Sequence, residues 1–543
     1  MPLGLRPSPS EKKMHTERGF VSGFYGILHP ENSFLKKIFA AQRPHMDNKK
    51  QHTRQTKRFG RIAAYLTLLV LALGDLCYSF VQHYNEPLDG DMAESVLPLD
   101  YIRPLYADPF GFRMLAKQEP HAAPNRFFSH YLLCKTYRSL PFALQKVTDP
   151  IHSLYYSNAI CKTGMQLALI LLISAMVCGG FHLRELKFMA ACFLSGTLMQ
   201  TCGFTRSIGM IDPAVTYAFF YALPLIFLLF YLLPFLFKEC YQKDWIRNKA
   251  VLMLYTIVFL LLTCFSGAIS PAVALVVVFT GFARYFYRFF RETAHPKLKD
   301  ALRNIPRHYL HFLLPLGIVA LYSLYIGTYN TMWNEPIPLS ERYRLLPQGF
   351  LRMFTAGNGG FGLLFALCVT NYLILKFKYR KEGAHALQLF HWFAVFSVIY
   401  LLLLPLGGYR PYRPYIIRYD SVLPVSFLWI LYFTHSSLLL LRHSLRKPAF
   451  TYLVWTGAAT ILFLVCDTPR TWRNDWEMAA MEEIRQSPLD TVPLSSHPTC
   501  IASWIEPTTV EASENAGKLL YLWQVTDKEK RFWFPGEERK DMN

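Results

Sequence analysis

Charge is missing from long stretches of this chain. Asp, Glu, Lys and Arg make up only 17% of the 543 residues. The runs 62–80, 167–181, 217–237 and 251–265 hold a single charged side chain between them, Asp75. A soluble chain of this length divides into domains whose apolar residues recur with helix or strand periodicity. These runs show none. About 20 mostly apolar residues carry a helix across the hydrocarbon core of a bilayer, so they read as membrane spans.

Other absences narrow the reading further. The eleven cysteines form no CxxC or CxxxC pair, which removes the usual zinc and thiol-redox spacings. Most fall inside apolar runs, where cysteine behaves as a small hydrophobe. Cys134, Cys161 and Cys500 fall outside the expected spans and are free to pair or not. The run Gly357-Asn358-Gly359-Gly360 lacks the Lys-Ser/Thr of a phosphate-binding loop and reads as a flexible turn. Without a soluble nucleotide-binding motif, ATP-driven transport is not expected of the chain. No internal repeat and no low-complexity tract is visible. No cleavable signal peptide is expected, because the first apolar run begins near residue 62.

What is present is an all-α polytopic membrane protein. We expect about eleven transmembrane helices, near 62–82, 163–181, 188–204, 214–236, 250–266, 270–283, 309–327, 357–375, 388–406, 422–441 and 451–466. The net charge of +20 belongs to particular loops, so a membrane explains it better than nucleic acid, and no nucleic-acid partner is expected. Thirteen Lys/Arg precede residue 62, and seven lie from Arg284 to Arg307. The short loops between the basic ones are poor in Lys/Arg, one of them holding only Arg206. The positive-inside pattern places the N-terminus in the cytoplasm and the C-terminus outside. Three regions follow: a basic cytoplasmic segment 1–61, a membrane domain 62–466, and an outer segment 467–543. Within the membrane domain, the long first outer loop, 83–160, is aromatic enough to carry ordered interfacial helices.

Four polar constellations fall outside the expected spans. Asp89-Gly90-Asp91-Met92-Ala93-Glu94 gathers three carboxylates directly after the first span. Such a group suits a general base or a divalent cation. It suits equally a helix N-cap at Asp91 with Glu94 three residues on. The segment Tyr409-Arg410-Pro411-Tyr412-Arg413-Pro414-Tyr415-Ile416-Ile417-Arg418-Tyr419-Asp420 holds three arginines against the charge trend. Guanidinium forks suit phosphate, and tyrosines suit sugars. The other reading is pairing with Asp420 and an interfacial aromatic belt. Arg126 and His130, four apart, share a helix face, His130 serving as acid/base or as a structural histidine. A fourth group, Glu335, Glu341, Arg342, Arg344 and Arg352, lies in a later outer loop.

Together these residues resemble the GT-C superfamily of membrane glycosyltransferases, which includes protein O-mannosyltransferases, aminoarabinose transferases and oligosaccharyltransferases. The likeness rests on four features. The chain has a short cytoplasmic N-terminus before the first span and an acidic motif, Asp89 to Glu94, opening a long outer loop. A histidine and aromatic start to the second span follows, Asp149-Pro150-Ile151-His152-Ser153-Leu154-Tyr155-Tyr156. A late outer Arg418-Tyr419 leads into a span through Leu423-Pro424. Here Asp-Gly-Asp stands where many members carry Asp-Glu, and no Trp-Trp-Asp signature of oligosaccharyltransferases is present. The chain is also similar to a group of bacterial envelope membrane proteins.

The resemblance implies transfer of a sugar from a polyprenyl-phosphate donor to a glycan, lipid or protein acceptor on the outer face of a bacterial inner membrane. Asp91, or Asp89, would be the base, with Glu94 in reserve. Arg418, with Arg410, Arg413 and Tyr419, would hold the donor phosphate. Arg126, His130 and His152 are the further contact candidates. No resident cofactor is implied beyond a divalent cation as an option. An O-antigen-type polymerase or ligase uses the same lipid-linked donors, but usually places its large outer loop late. A lipid or polysaccharide transporter would favour related halves and mid-membrane polar groups, which are sparse here.

Overall fold

The computed structural model describes residues 33–332, 337–407, 415–444, 450–469 and 473–535. It divides into two compact units, 1–63 and 64–543. The described part of the first is helical from Ser33. All packing below belongs to the second.

Among the described residues eight helices are long and apolar enough to cross a membrane: Arg58–Tyr84, Pro150–Cys178, Val215–Tyr241, Ile269–Glu292, Arg307–Gly327, Gly357–Lys378, Ala384–Gly407 and Tyr419–His443. Three shorter apolar helices, Leu186–Gly196, Lys249–Cys264 and Thr451–Cys466, fall where three further spans were expected. Side chains such as Leu254, Val258, Leu314, Ile318, Val454 and Ile461 stay exposed on these helices. So much outward apolar surface suits hydrocarbon and would be costly in water.

Two boundaries differ from the sequence reading for definable reasons. The second long helix starts at Pro150, well before residue 163, because Asp149 caps it. Asp149 Oδ1 accepts from the Ile151 and His152 amides at 3.0 and 3.1 Å, and proline sits at the first helical position. The helix beginning at Ile269 runs to Glu292, where only 270–283 was expected. Arg284, Arg288 and Arg291 continue it past the apolar run, as arginine's long apolar stem allows at the end of a span.

The central helix is Tyr419–His443, with 78% of its apolar window buried. It packs against Gly360–Lys378, Ala384–Leu403, Leu186–Gly196 and Pro150–Cys178. The long segment after the first span is ordered into short helices: Met92–Val96, Arg103–Ala107, Phe112–Lys117, Phe127–Tyr137 and Leu140–Leu144. They bury Met92, Leu105, Met114, Leu133 and Tyr137.

The C-terminal segment carries helices Asp475–Gln486 and Glu514–Leu522. A parallel strand pair, Thr491–Pro493 with Arg531–Trp533, sets Val492 beside Phe532. This segment docks on the first loop. The fully buried Trp523 donates its indole N–H to the Tyr137 carbonyl at 3.0 Å, and Gln145 donates to the Trp523 carbonyl at 2.8 Å. All described cysteines, including Cys134, Cys161 and Cys500, are free thiols.

Candidate functional site

The start of the central helix is the organising element of the site. The Arg418 amide donates to Ser421 Oγ at 2.9 Å, and the Ser421 amide donates to Asp420 Oδ1 at 2.7 Å. These bonds fix a tight turn in which Arg418, Tyr419 and Asp420 take separate directions. Arg418 Nη2 donates to the buried Asp420 at 2.5 Å, while its Nη1 is buried with no hydrogen-bond partner among the described residues.

Arg418 lines a cleft of about 700 Å³ with Arg206, Arg352, Tyr217, Tyr415 and Tyr419. Tyr415, Arg418 and Tyr419 belong to the start of the central helix and its lead-in, and the other three come from separate elements. Arg206 belongs to the short turn Thr205–Ile208, Arg352 to the amphipathic helix Leu339–Thr355, and Tyr217 to the start of the third long helix. The Arg352 guanidinium lies 4.3 Å from the Tyr415 ring centre, a cation–π contact that orients it. The turn Gly357–Gly359 closes one side of the cleft, and a side chain at Gly357 would crowd the Arg206–Ser207 backbone at 3.1 Å. Just after Tyr217 the helix widens into a π turn, Ala218–Ala222, a distortion frequent at functional sites. Three guanidinium groups and three phenols around one opening form a surface that favours anions and planar or sugar-like groups.

Behind this cleft lies a small void of about 10 Å³, lined by Asp212, Asp420, Tyr217, Tyr221 and Tyr419. Burial pushes the Asp212 carboxyl up to about 7. The nearby Asp420 charge adds to this rise, while the Ala214 amide at 2.8 Å and Lys162 oppose it. Lys162, fully buried, donates to the Pro213 carbonyl at 2.6 Å.

The acidic motif docks beside the start of the third long helix. Asp89 is buried, its Oδ2 accepting from the Thr216 amide at 2.9 Å and its Oδ1 from the Asp91 amide at 3.1 Å. Burial raises its carboxyl to about 6. Asp91 stands at the N-cap of Met92–Val96, yet its side chain makes no capping bond. Instead its Oδ1 accepts from the Trp504 indole at 2.8 Å. Trp504 in turn stacks on Tyr217, ring centres 5.9 Å apart and planes 28° from parallel. Asp91 thus connects to the cleft wall through Trp504 and Tyr217, and is not itself among the lining residues. A side chain at Gly90 would meet the Trp504 amide at 2.4 Å, so only glycine lets the C-terminal segment approach this closely. Glu94 interacts with the Tyr101 hydroxyl.

The remaining candidates lie elsewhere. His130 is buried, 2.8 Å from Ser95 Oγ, and burial with Arg126 nearby lowers its pKa to about 3. It is neutral at physiological pH. The Arg126 guanidinium lies 5.8 Å from the Phe220 ring centre. His152 pairs with the helix-capping Asp149 at 2.7 Å. Arg410 and Arg413 lie outside the described residues. Among the described residues no three His, Cys, Asp or Glu side chains gather as metal ligands.

Sequence reasoning undervalued Arg206 and Arg352 and missed Asp212 and Trp504. Arg206 did carry a signal, as the only Lys/Arg of its short loop. Trp504 carried none, since nothing local ties residue 504 to residue 91. The chain matches no family model, no curated protein and no solved structure.

Proposed function

We propose that the protein is a glycosyltransferase of the GT-C kind, acting at the end of the bundle where the arginine cleft and the acidic motif lie. The observation that carries this reading is the convergence of Arg206, Arg352 and Arg418 with three tyrosines on one cleft. Three cations from separate elements are costly to gather unless an anion joins them. The donor is a sugar on a polyprenyl phosphate, the phosphate bound by Arg418, Arg352 and Arg206, with Arg410 and Arg413 as further ligands. The acceptor is a hydroxyl of a glycan, lipid or protein.

In the reaction, Asp91 takes the acceptor hydroxyl proton as the acceptor oxygen bonds to the anomeric carbon. The bond from that carbon to the donor phosphate breaks, and its electron pair leaves with the polyprenyl phosphate. The guanidinium groups stabilise the negative charge that develops there. Asp91 serves better than Asp89, whose oxygens are held by the Thr216 and Asp91 amides in a buried position. The Trp504 indole holds Asp91 in place, and substrate displaces or shares that bond. The three shorter apolar helices complete eleven spans, with the N-terminus cytoplasmic and the C-terminal segment outside.

Sugar transfer from a polyprenyl-phosphate donor in liposomes, with wild type and Asp91→Asn, tests the reading. A loss of about two to four orders of magnitude in a folded variant supports a general base. Full activity in Asp91→Asn removes that role. Absence of transfer from every lipid-linked donor overturns the assignment. An O-antigen-type polymerase or ligase would use the same cleft and is told apart by its product, a lengthened or transferred polymer.

A further inference from the structure

At the opposite end of the bundle lies a second cavity, of about 250 Å³, with a different lining. Its walls are apolar over most of their length: Leu228, Leu232, Val277, Phe393, Phe427 and Leu431, from four of the long helices. One end is polar and basic. Arg284, His385 and His435 line it together with Glu239. Glu239 is already engaged, lying 3.1 Å from His308 Nε2 and 3.4 Å from Arg288. Arg284 stands near enough to Glu239 to feel its charge but donates no hydrogen bond among the described residues, and His385 is exposed. His385 and His435 face each other edge to face, ring centres 5.9 Å apart.

We infer that this cavity is a binding site for one anionic phospholipid, its phosphate at Arg284 and the histidine pair and an acyl chain among the apolar walls. An empty space of this size between packed helices costs dispersion contacts, and a chain restores them. A cation without a hydrogen-bonded partner at the mouth of an apolar cavity supplies the complement of a lipid phosphate, which neutral or zwitterionic lipids satisfy less well. The site is separate from the arginine cleft. The two share no lining residue. Between them lie the Asp212–Asp420 void and a second void of about 10 Å³ lined by Phe220, Tyr221, Asp420 and Pro424, each with room for about one water. The inference rests on the lining of this cavity alone and stands whether or not the protein transfers sugars.

Native mass spectrometry of the full-length protein, after exchange into nanodiscs of phosphatidylcholine with or without phosphatidylglycerol, provides the test. One phosphatidylglycerol should stay bound after detergent release, with retention at least tenfold above phosphatidylcholine. Arg284→Gln should abolish the preference for the anionic lipid while leaving the protein folded. Val277→Trp, which fills the cavity, should lower retention of both lipids. A third variant, Arg352→Gln, in the other cleft, should leave retention unchanged. Equal retention of the two lipids by the wild type, or an anionic preference that survives both Arg284→Gln and Val277→Trp, overturns the inference. Should Val277→Trp fail to fold, Arg284→Gln alone decides it.

Discussion

Arg418 and Asp420 are joined at 2.5 Å, but the bond engages only one face of the guanidinium. Nη1 stays buried without a hydrogen-bond partner among the described residues, in a residue that lines the open cleft. The carboxylate therefore acts as an anchor that aims a cation at the cleft while leaving it a free donor. Replacing Arg418 by lysine keeps the charge and loses the fork. We expect Arg418→Lys to raise the apparent KM for a polyprenyl-phosphate donor at least tenfold in a folded protein. An unchanged KM would mean that the cleft does not bind the donor phosphate.

Asp91 and Trp504 give a paired experiment. Trp504→Phe keeps an aromatic ring for Tyr217 but removes the indole donor to Asp91. If Asp91 is the base, Trp504→Phe should lower the rate modestly, whereas Asp91→Asn should nearly abolish it. A purely structural bond predicts equal, small losses in both variants.

Trp523 tests how far stability depends on the C-terminal segment. Its side chain is fully buried, and its N–H is bonded to Tyr137. Trp523→Ala should cost about 3–5 kcal/mol, the usual range for large aromatic truncations in a core. Chemical unfolding in mild detergent measures it. A loss under about 1 kcal/mol would mean that the segment contributes little to the fold.

Glu477 predicts a pH dependence. Burial pushes its carboxyl from 4.5 up to about 7. Between those values the folded chain binds more protons than the unfolded one, so stability falls as pH rises. Asp89 acts in the same direction up to about 6. His130, with its lowered pKa, acts in the opposite direction but is common to wild type and variant, so the unfolding temperature of the wild type relative to Glu477→Gln should be higher at pH 5 than at pH 7.5. A difference of the opposite sign would refute the assignment.

Orientation is testable by labelling. Single cysteines at Lys297, in a basic loop, and at Lys518, in the C-terminal segment, should react with an impermeant maleimide from opposite faces of oriented vesicles. Labelling of both from one face would invalidate the proposed topology.

The membrane character of the chain was legible in its sequence because a span is a local property: 20 apolar residues declare themselves. The order of the first loop was legible for the same reason, through its aromatic density. Span ends were read less well. Arginines at 284, 288 and 291 look like a loop in sequence and prolong a helix in space. The site was legible only in pieces. Arg418 stood out by breaking the charge trend, and Asp91 by its acidic neighbours. Their connection runs through Trp504 and Tyr217, residues 413 and 126 positions from Asp91, and no local pattern encodes contacts so distant. Asp212 is distinguished by burial alone, which sequence does not display.

The bonds of Glu477 carry a consequence for the order of synthesis. Its carboxylate accepts from Leu88, Tyr155 and Ala502, and it lies 389 residues after Leu88. A ribosome adding about 5–20 residues per second leaves the acidic motif without this acceptor for about 20–80 seconds. During that interval the Leu88 amide and the Asp91 carboxylate must rely on water or a chaperone. The acidic motif gains these partners only when residues 477–504 arrive, so a nascent chain whose first helices are already made still lacks the bonds that hold Leu88 and Asp91.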